Sequence, residues 1–145
     1  MAGESSLWKW LRDLAPRGHF CRVETGDTDP GHPDVYYRIN PTHSGFIELK
    51  SCLRNSRVPF PDEDSGLHRS QRIWIERELS FGGTIWILAR VHNYILWIYG
   101  SHYDEFNGAT TKELIALSSL HFNRNSETKP TDKISKLLRG KYGKV

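Results

Sequence analysis

Apolar residues near the start of the chain fall at helical spacing, with Leu7, Trp8, Leu11 and Leu14 on one stripe. Ser5 or Ser6 supplies an N-cap, so a helix is expected to about Leu14, ended by Pro16 and Gly18. His19–Glu24 reads as a strand, and residues 25–33, TGDTDPGHP, as a polar loop full of breakers. Asp34–Ile39 and Phe46–Leu53 read as two more strands around the turn residues NPTHSG at 40–45. A loop with two prolines covers 54–66. A helix follows over Leu67–Ser80 and stops at Gly82-Gly83. Thr84–Val91 and Tyr94–Tyr99 form a hairpin through His92-Asn93. Thr110 or Thr111 caps a helix to about Leu120, residues 123–132 read as loose polar chain, and Thr131–Leu138 as a short last helix. The order is α-β-β-β-α-β-β-α-α. It predicts an α/β (α+β) fold with a mixed central sheet of about five strands flanked by helices. No repeat or second domain is visible. The pattern gives one domain over 1–122 and a basic tail over 123–145.

Three charged residues conflict with the strand pattern. Asp34 opens the second strand, Glu48 interrupts the third, and Lys50 lies two residues on. Residues two apart on a strand share a face, so Glu48 and Lys50 point the same way. If Asp34 pairs with Lys50 in a hairpin, it lies diagonal to Glu48 on that face. Two carboxylates and an ammonium then converge. Burying them costs several kcal/mol each unless they are paired or bind a cation. Mg²⁺ suits such a cluster, since it takes one or two carboxylates and keeps its waters. A metal held there could polarise a phosphodiester oxygen and activate a water, and Lys50 could orient that water or stabilise the charge developing on the phosphate. The bland alternative is an incidental cross-strand ion pair.

Composition leaves this picture open and narrows the setting. The chain has 145 residues, 26% charged and 37% hydrophobic, which suits a folded globular domain. No apolar run approaches the ~18 residues of a membrane span, and MAGESSLWKW lacks the features of a signal peptide. Cys21 and Cys52 have no zinc-type spacing, and the seven histidines show none either. The expected location is cytoplasmic, or host cytoplasm for a viral protein. Charge is uneven. Residues 123–145 carry seven Lys/Arg against Glu127 and Asp132, so +5; the rest carries 13 against 15, so −2. A basic end on a mildly acidic body fits a polyanion or a solvated helix.

Gly31-His32-Pro33-Asp34, then Glu48-Leu49-Lys50 after thirteen residues, resembles the signature of the PD-(D/E)XK nuclease superfamily. The G-x-P-D opening with F-I-E-L-K is similar to its VRR-NUC and Holliday-junction-resolvase-like branch, common among phage-type nucleases. Gln71, Trp74, Gly82-Gly83 and the hairpin extend the resemblance over roughly residues 19–100. A second E-x-K, Glu127-Thr128-Lys129, lacks a strand and a Pro-Asp partner. The resemblance implies a restriction-endonuclease-like core and hydrolysis of DNA phosphodiester bonds with Mg²⁺, or Mn²⁺ in its place. It implies Asp34, Glu48 and the Leu49 backbone carbonyl as metal ligands, with Lys50 and Gln71 arranging water and phosphate. Glu24 is the favoured further ligand. Glu4 is the alternative, with a helix-start role as its simpler reading.

Gln71 falls on the inward stripe of its helix, where a glutamine needs hydrogen-bond partners; a nearby backbone group would also satisfy it. His32 beside Pro33-Asp34, and His68, Arg69 and Arg72 at a helix start, are candidate DNA-backbone contacts or ordinary surface residues. Asp62, Glu63 and Asp64 read as a solvated loop, Cys52 as a small packing residue, and Trp86, Trp97, Tyr94 and Ile98 as core. Branched or junction DNA is the preferred substrate by analogy, and a homodimer would suit paired cuts. A general or nicking phage-type DNase comes next. An inactive nucleic-acid-binding module and a hydrolase of small phosphate esters are the readings from other classes.

Overall fold

A computed structural model describes residues 2–13, 18–23, 30–125 and 130–140. Six strands form one mixed sheet in the spatial order β1-β2-β3-β4-β5-β6: His19–Arg22, Val35–Asn40, His43–Cys52, Ile85–Val91, Tyr94–Tyr99 and Leu120–Asn123. Neighbours are antiparallel except the central pair, β3 and β4. That parallel pair needs a crossover, which α2, Arg69–Ser80, supplies. The other helices are α1, Ala2–Asp13; α3, Tyr103–Phe106; α4, Thr111–Leu117; and α5, Thr131–Leu138. No helix among the described residues is long and apolar enough to cross a membrane.

The sheet separates two cores. On one face Leu7 and Leu11 of α1 and Ile134, Leu137 and Leu138 of α5 pack with Val35, Tyr37, Ile47, Leu49, Trp86 and Trp97. On the other, Ile75 of α2, Phe106 of α3 and Leu114 of α4 pack with Ile85, Ile87, Leu96 and Ile98. Strand alternation makes this division: Ile47 and Leu49 face α1, while Glu48 and Lys50 face the α2 side.

Several expectations change. Among the described residues the sheet has six strands, because the helix starting at Thr111 ends at Leu117 and Leu120–Asn123 pairs with β5. β6 is only four residues long and alternates in burial, so its local signal is small. β3 starts at His43 because Asn40 Oδ1 accepts from the amides of Thr42 and His43, at 3.0 and 2.9 Å. The turn therefore needs only Pro41 and Thr42. α1 starts at Ala2, so Ser5 and Ser6 lie inside it rather than capping it. α2 starts at Arg69, and buried Leu67 precedes it. The short helix over 131–138 forms, but its apolar face is part of the first core, so it is packed on the body rather than carried in a tail. Its exposed Lys133, Lys136 and Arg139 lie across the sheet from Glu48. Trp86, Trp97 and Ile98 are core residues, whereas Tyr94 is 41% exposed at the start of β5.

Candidate active site

The register decides which charges meet. Val35 pairs with Ile47 and Tyr36 with Phe46, so Asp34, one residue before β2, falls opposite Glu48. The expected Asp34–Lys50 pairing is corrected by two residues. Directly opposite residues of an antiparallel pair share a face and lie closer than diagonal ones. Asp34 Oδ2 accepts the Leu49 amide at 2.9 Å, continuing the ladder where β2 has ended. An extended residue sends its N–H and C=O to the same strand edge, so the Leu49 carbonyl points toward that side too.

Gly31 puts Asp34 there. Its φ is +84°, and a Cβ at this position would stand 2.2 Å from the Ser70 carbonyl oxygen. The loop backbone thus lies directly against the first turn of α2, which only glycine permits. His32 is clamped beside it, with ring centroids 5.0 Å from Trp74 and 5.4 Å from Phe46 and Nδ1 2.9 Å from the Pro33 oxygen. Its contacts are packing contacts rather than those of an open phosphate ligand.

Gln71 ties the site together. Its Oε1 accepts from Lys50 Nζ at 3.0 Å and from the His68 amide at 2.8 Å, while its Nε2 donates to Glu48 Oε2 at 3.1 Å. One side chain therefore caps α2, anchors the ammonium and anchors the carboxylate. Gln71 thus satisfies a backbone amide and also borders the acidic pair. Lys50 Nζ lies 3.9 Å from Glu48 Oε2, and the two residues are 4% and 1% exposed.

The electrostatics are unbalanced. Burial first, then the Asp34 charge and a hydrogen bond shared with Asp34, push the Glu48 carboxyl well above the usual carboxylate range; Lys50 opposes this and Glu4 adds to it. Two carboxyls share a hydrogen bond only if one is protonated. With both ionised, Glu48 Oε1 is buried without a partner among the described residues. Glu4, in the first turn of α1, is raised by burial and then by Asp34, with Lys50 opposing. The structure thus brings Glu4 into the field of the pair. Glu24, the favoured extra acid, lies outside the described residues, as does the Glu127-Thr128-Lys129 copy.

Among the described residues, no group of three or more His, Cys, Asp and Glu side chains is gathered to hold a metal. What is present is two adjacent carboxyls, one orphaned buried oxygen and a nearby carbonyl edge. That set fits a hard divalent cation that keeps most of its waters. Its excess negative charge is what such an ion would neutralise.

The proposed backbone contacts divide. His68 and Arg69 are exposed at the start of α2. Arg72 is instead committed to the protein: its guanidinium donates to the Leu67 oxygen at 2.7 Å and lies 3.6 Å from Glu63. Glu63 also accepts the Arg69 amide at 2.7 Å, and Asp62 accepts the Ser65 amide and hydroxyl, so two of the three loop acids fasten the loop before α2. Cys52 is partly buried against the second core. Sequence reading missed Asn107, whose amide holds both the Leu67 N–H and C=O at 2.8 and 2.9 Å from forty residues away. No local pattern signals such a distant bracket.

No model of a known protein family matches the chain, and no curated protein matches it in sequence.

Proposed function

We propose that this protein is a metal-dependent DNA endonuclease of the restriction-endonuclease-like, PD-(D/E)XK type. The carrying observation is the carboxyl pair of half-buried Asp34 and fully buried Glu48, with Gln71 joining Glu48 to the buried Lys50. A purely structural role leaves that arrangement costly, with an oxygen lacking a donor. In this reading Asp34, Glu48 and the Leu49 carbonyl hold Mg²⁺ or Mn²⁺. Held there, the cation would supply Lewis-acid polarisation of a phosphodiester oxygen and a lowered pKa for a water. Lys50 presents its ammonium to the charge growing on the phosphate. Gln71 keeps that ammonium and the Glu48 carboxylate in fixed orientation, so little reorganisation is needed as charge develops. The water oxygen bonds to phosphorus, the bond to the leaving oxygen breaks, the attacking water gives a proton to solvent and the leaving oxygen takes one up from solvent. The parallel β3–α2–β4 unit supports the reading by setting Glu48, Lys50 and Gln71 on adjacent rigid elements. Branched or junction DNA remains the narrower substrate by analogy.

The test incubates purified protein with a four-way junction and with its linear arms, in Mg²⁺, Mn²⁺ or EDTA. Metal-dependent cutting that Glu48→Gln abolishes, with the circular dichroism spectrum unchanged, supports the enzyme. Binding without cutting under every condition refutes it in favour of a binding module. Hydrolysis of a small phosphate ester with DNA untouched points to the other hydrolase class. Paired symmetric nicks in the junction select a resolvase.

A further inference from the structure

The solvated side of an antiparallel wing is normally polar. In β1–β2–β3, one face packs on α1 and α5 through Val35, Tyr37 and Ile47. The opposite face mixes polar groups with a run of aromatic rings. By register it carries His19 and Cys21 on β1, Asp34, Tyr36 and Arg38 across β2, and Ser44, Phe46 and Glu48 on β3. The rings run as a connected series: His19 to Tyr36 at 6.3 Å, Tyr36 to Phe46 at 5.7 Å, and Phe46 to Trp74 at 5.1 Å. Tyr36, Phe46 and Trp74 are only half-buried, and His19 and Arg38 are exposed. Arg38 donates to the Tyr36 hydroxyl at 3.2 Å and to the Pro41 oxygen at 3.0 Å, and no carboxylate is paired with it among the described residues. The Asp34–Glu48 pair lies on the same face, two residues along each strand from Tyr36 and Phe46.

We propose that this face is a track for single-stranded DNA leading to the candidate active site. The proposal rests on the nuclease reading for what happens at the end of the track, but not for binding. Bases have apolar π-faces and need flat rings to stack on, while their phosphates need cations; half-exposed aromatics flanked by an arginine without an acidic partner match both. A duplex keeps its bases stacked on one another and gains little from such a surface. The substrate class that follows is DNA with an unpaired strand beside the cut, as at a flap, bubble or splayed branch.

The experiment measures fluorescence anisotropy of a labelled oligothymidylate and of a blunt duplex of equal length. It is done in EDTA at fixed salt, so that no cutting intervenes. The full chain binds the single strand more tightly than the duplex. Tyr36→Thr keeps strand propensity and loses the ring, weakening single-strand binding about tenfold and leaving duplex binding unchanged. Tyr36→Phe binds as the original does. Arg38→Gln lowers single-strand affinity and its salt dependence. Equal affinity for the two DNA forms overturns the inference, as does unchanged single-strand binding in both Tyr36→Thr and Arg38→Gln. If Tyr36→Thr does not fold, Arg38→Gln and the strand preference of the original chain still decide. A protein that cuts duplex without this preference loses the track and keeps the nuclease reading. One that shows the preference and never cuts loses the nuclease reading and keeps the track.

Discussion

The strongest test of the charge argument replaces Glu48 by Gln and follows stability against pH without metal. Glu48 is 1% exposed, and its carboxyl is raised well above its ordinary value of 4.5 by burial and by Asp34. The folded state therefore keeps a proton that the unfolded chain has released. Over that window the unfolded state binds fewer protons, so stability falls as pH rises, by up to about 1.4 kcal/mol per pH unit for one such group. The contribution is fully favourable below 4.5 and fully lost above the folded value. With an unfolding entropy of ~2.1 cal/mol/K per residue, the 145 residues convert this slope to about 4 °C of Tm per pH unit. Thermal unfolding in EDTA from acid to mildly alkaline pH is expected to show the decline in the original protein and a flatter profile in Glu48→Gln. Added Mg²⁺ reverses the loss at high pH. At a hundredfold over Kd it contributes about 2.7 kcal/mol, or about 9 °C, to the original protein and far less to the variant. Parallel pH profiles for the two proteins, or equal stabilisation of both by Mg²⁺, would refute the reasoning.

Gln71→Ala removes the acceptor shared by Lys50 and the His68 amide and the donor to Glu48. It is expected to cost about 1–3 kcal/mol in denaturant unfolding, as for a lost cap plus buried polar groups left unpaired, and to lower cleavage more than DNA binding. Gly31→Ala forces a side chain into a φ of +84° and toward the Ser70 oxygen. The expected loss is about 1–3 kcal/mol of stability by thermal unfolding. A fall in Mg²⁺-induced stabilisation should accompany it, because the loop that sets Asp34 moves.

The candidate site was partly legible because its residues violate a local rule. A carboxylate and an ammonium on an apolar strand, after a Pro-Asp strand start, stand out in any reading of alternation, and Gln71 stands out on an inward helix face. Glu4 stands out less, and enters the sequence reading only as the alternative to Glu24. An acid in the first turn of a helix is ordinary by itself, and its nearness to Asp34 depends on how α1 lies on the sheet. Arg72 shows the converse: a charge that suggested a DNA-backbone contact is used, with Glu63, to hold the loop before α2.

Elements whose signals repeat within a few residues can be read from the chain alone: the apolar face of α1, the helix α2, the β4–β5 hairpin and the short α5. So can the shared face of Glu48 and Lys50, since alternation follows from strand geometry alone. Long-range packing sets the rest: Asp34 stands opposite Glu48 rather than Lys50, β6 extends the sheet beyond β5, and α5 is buried on the side of the sheet that α1 covers. Periodicity fixes which way a side chain points, but not what it meets. Partners and register come from contacts between distant segments, whose free energy is set when the whole core closes.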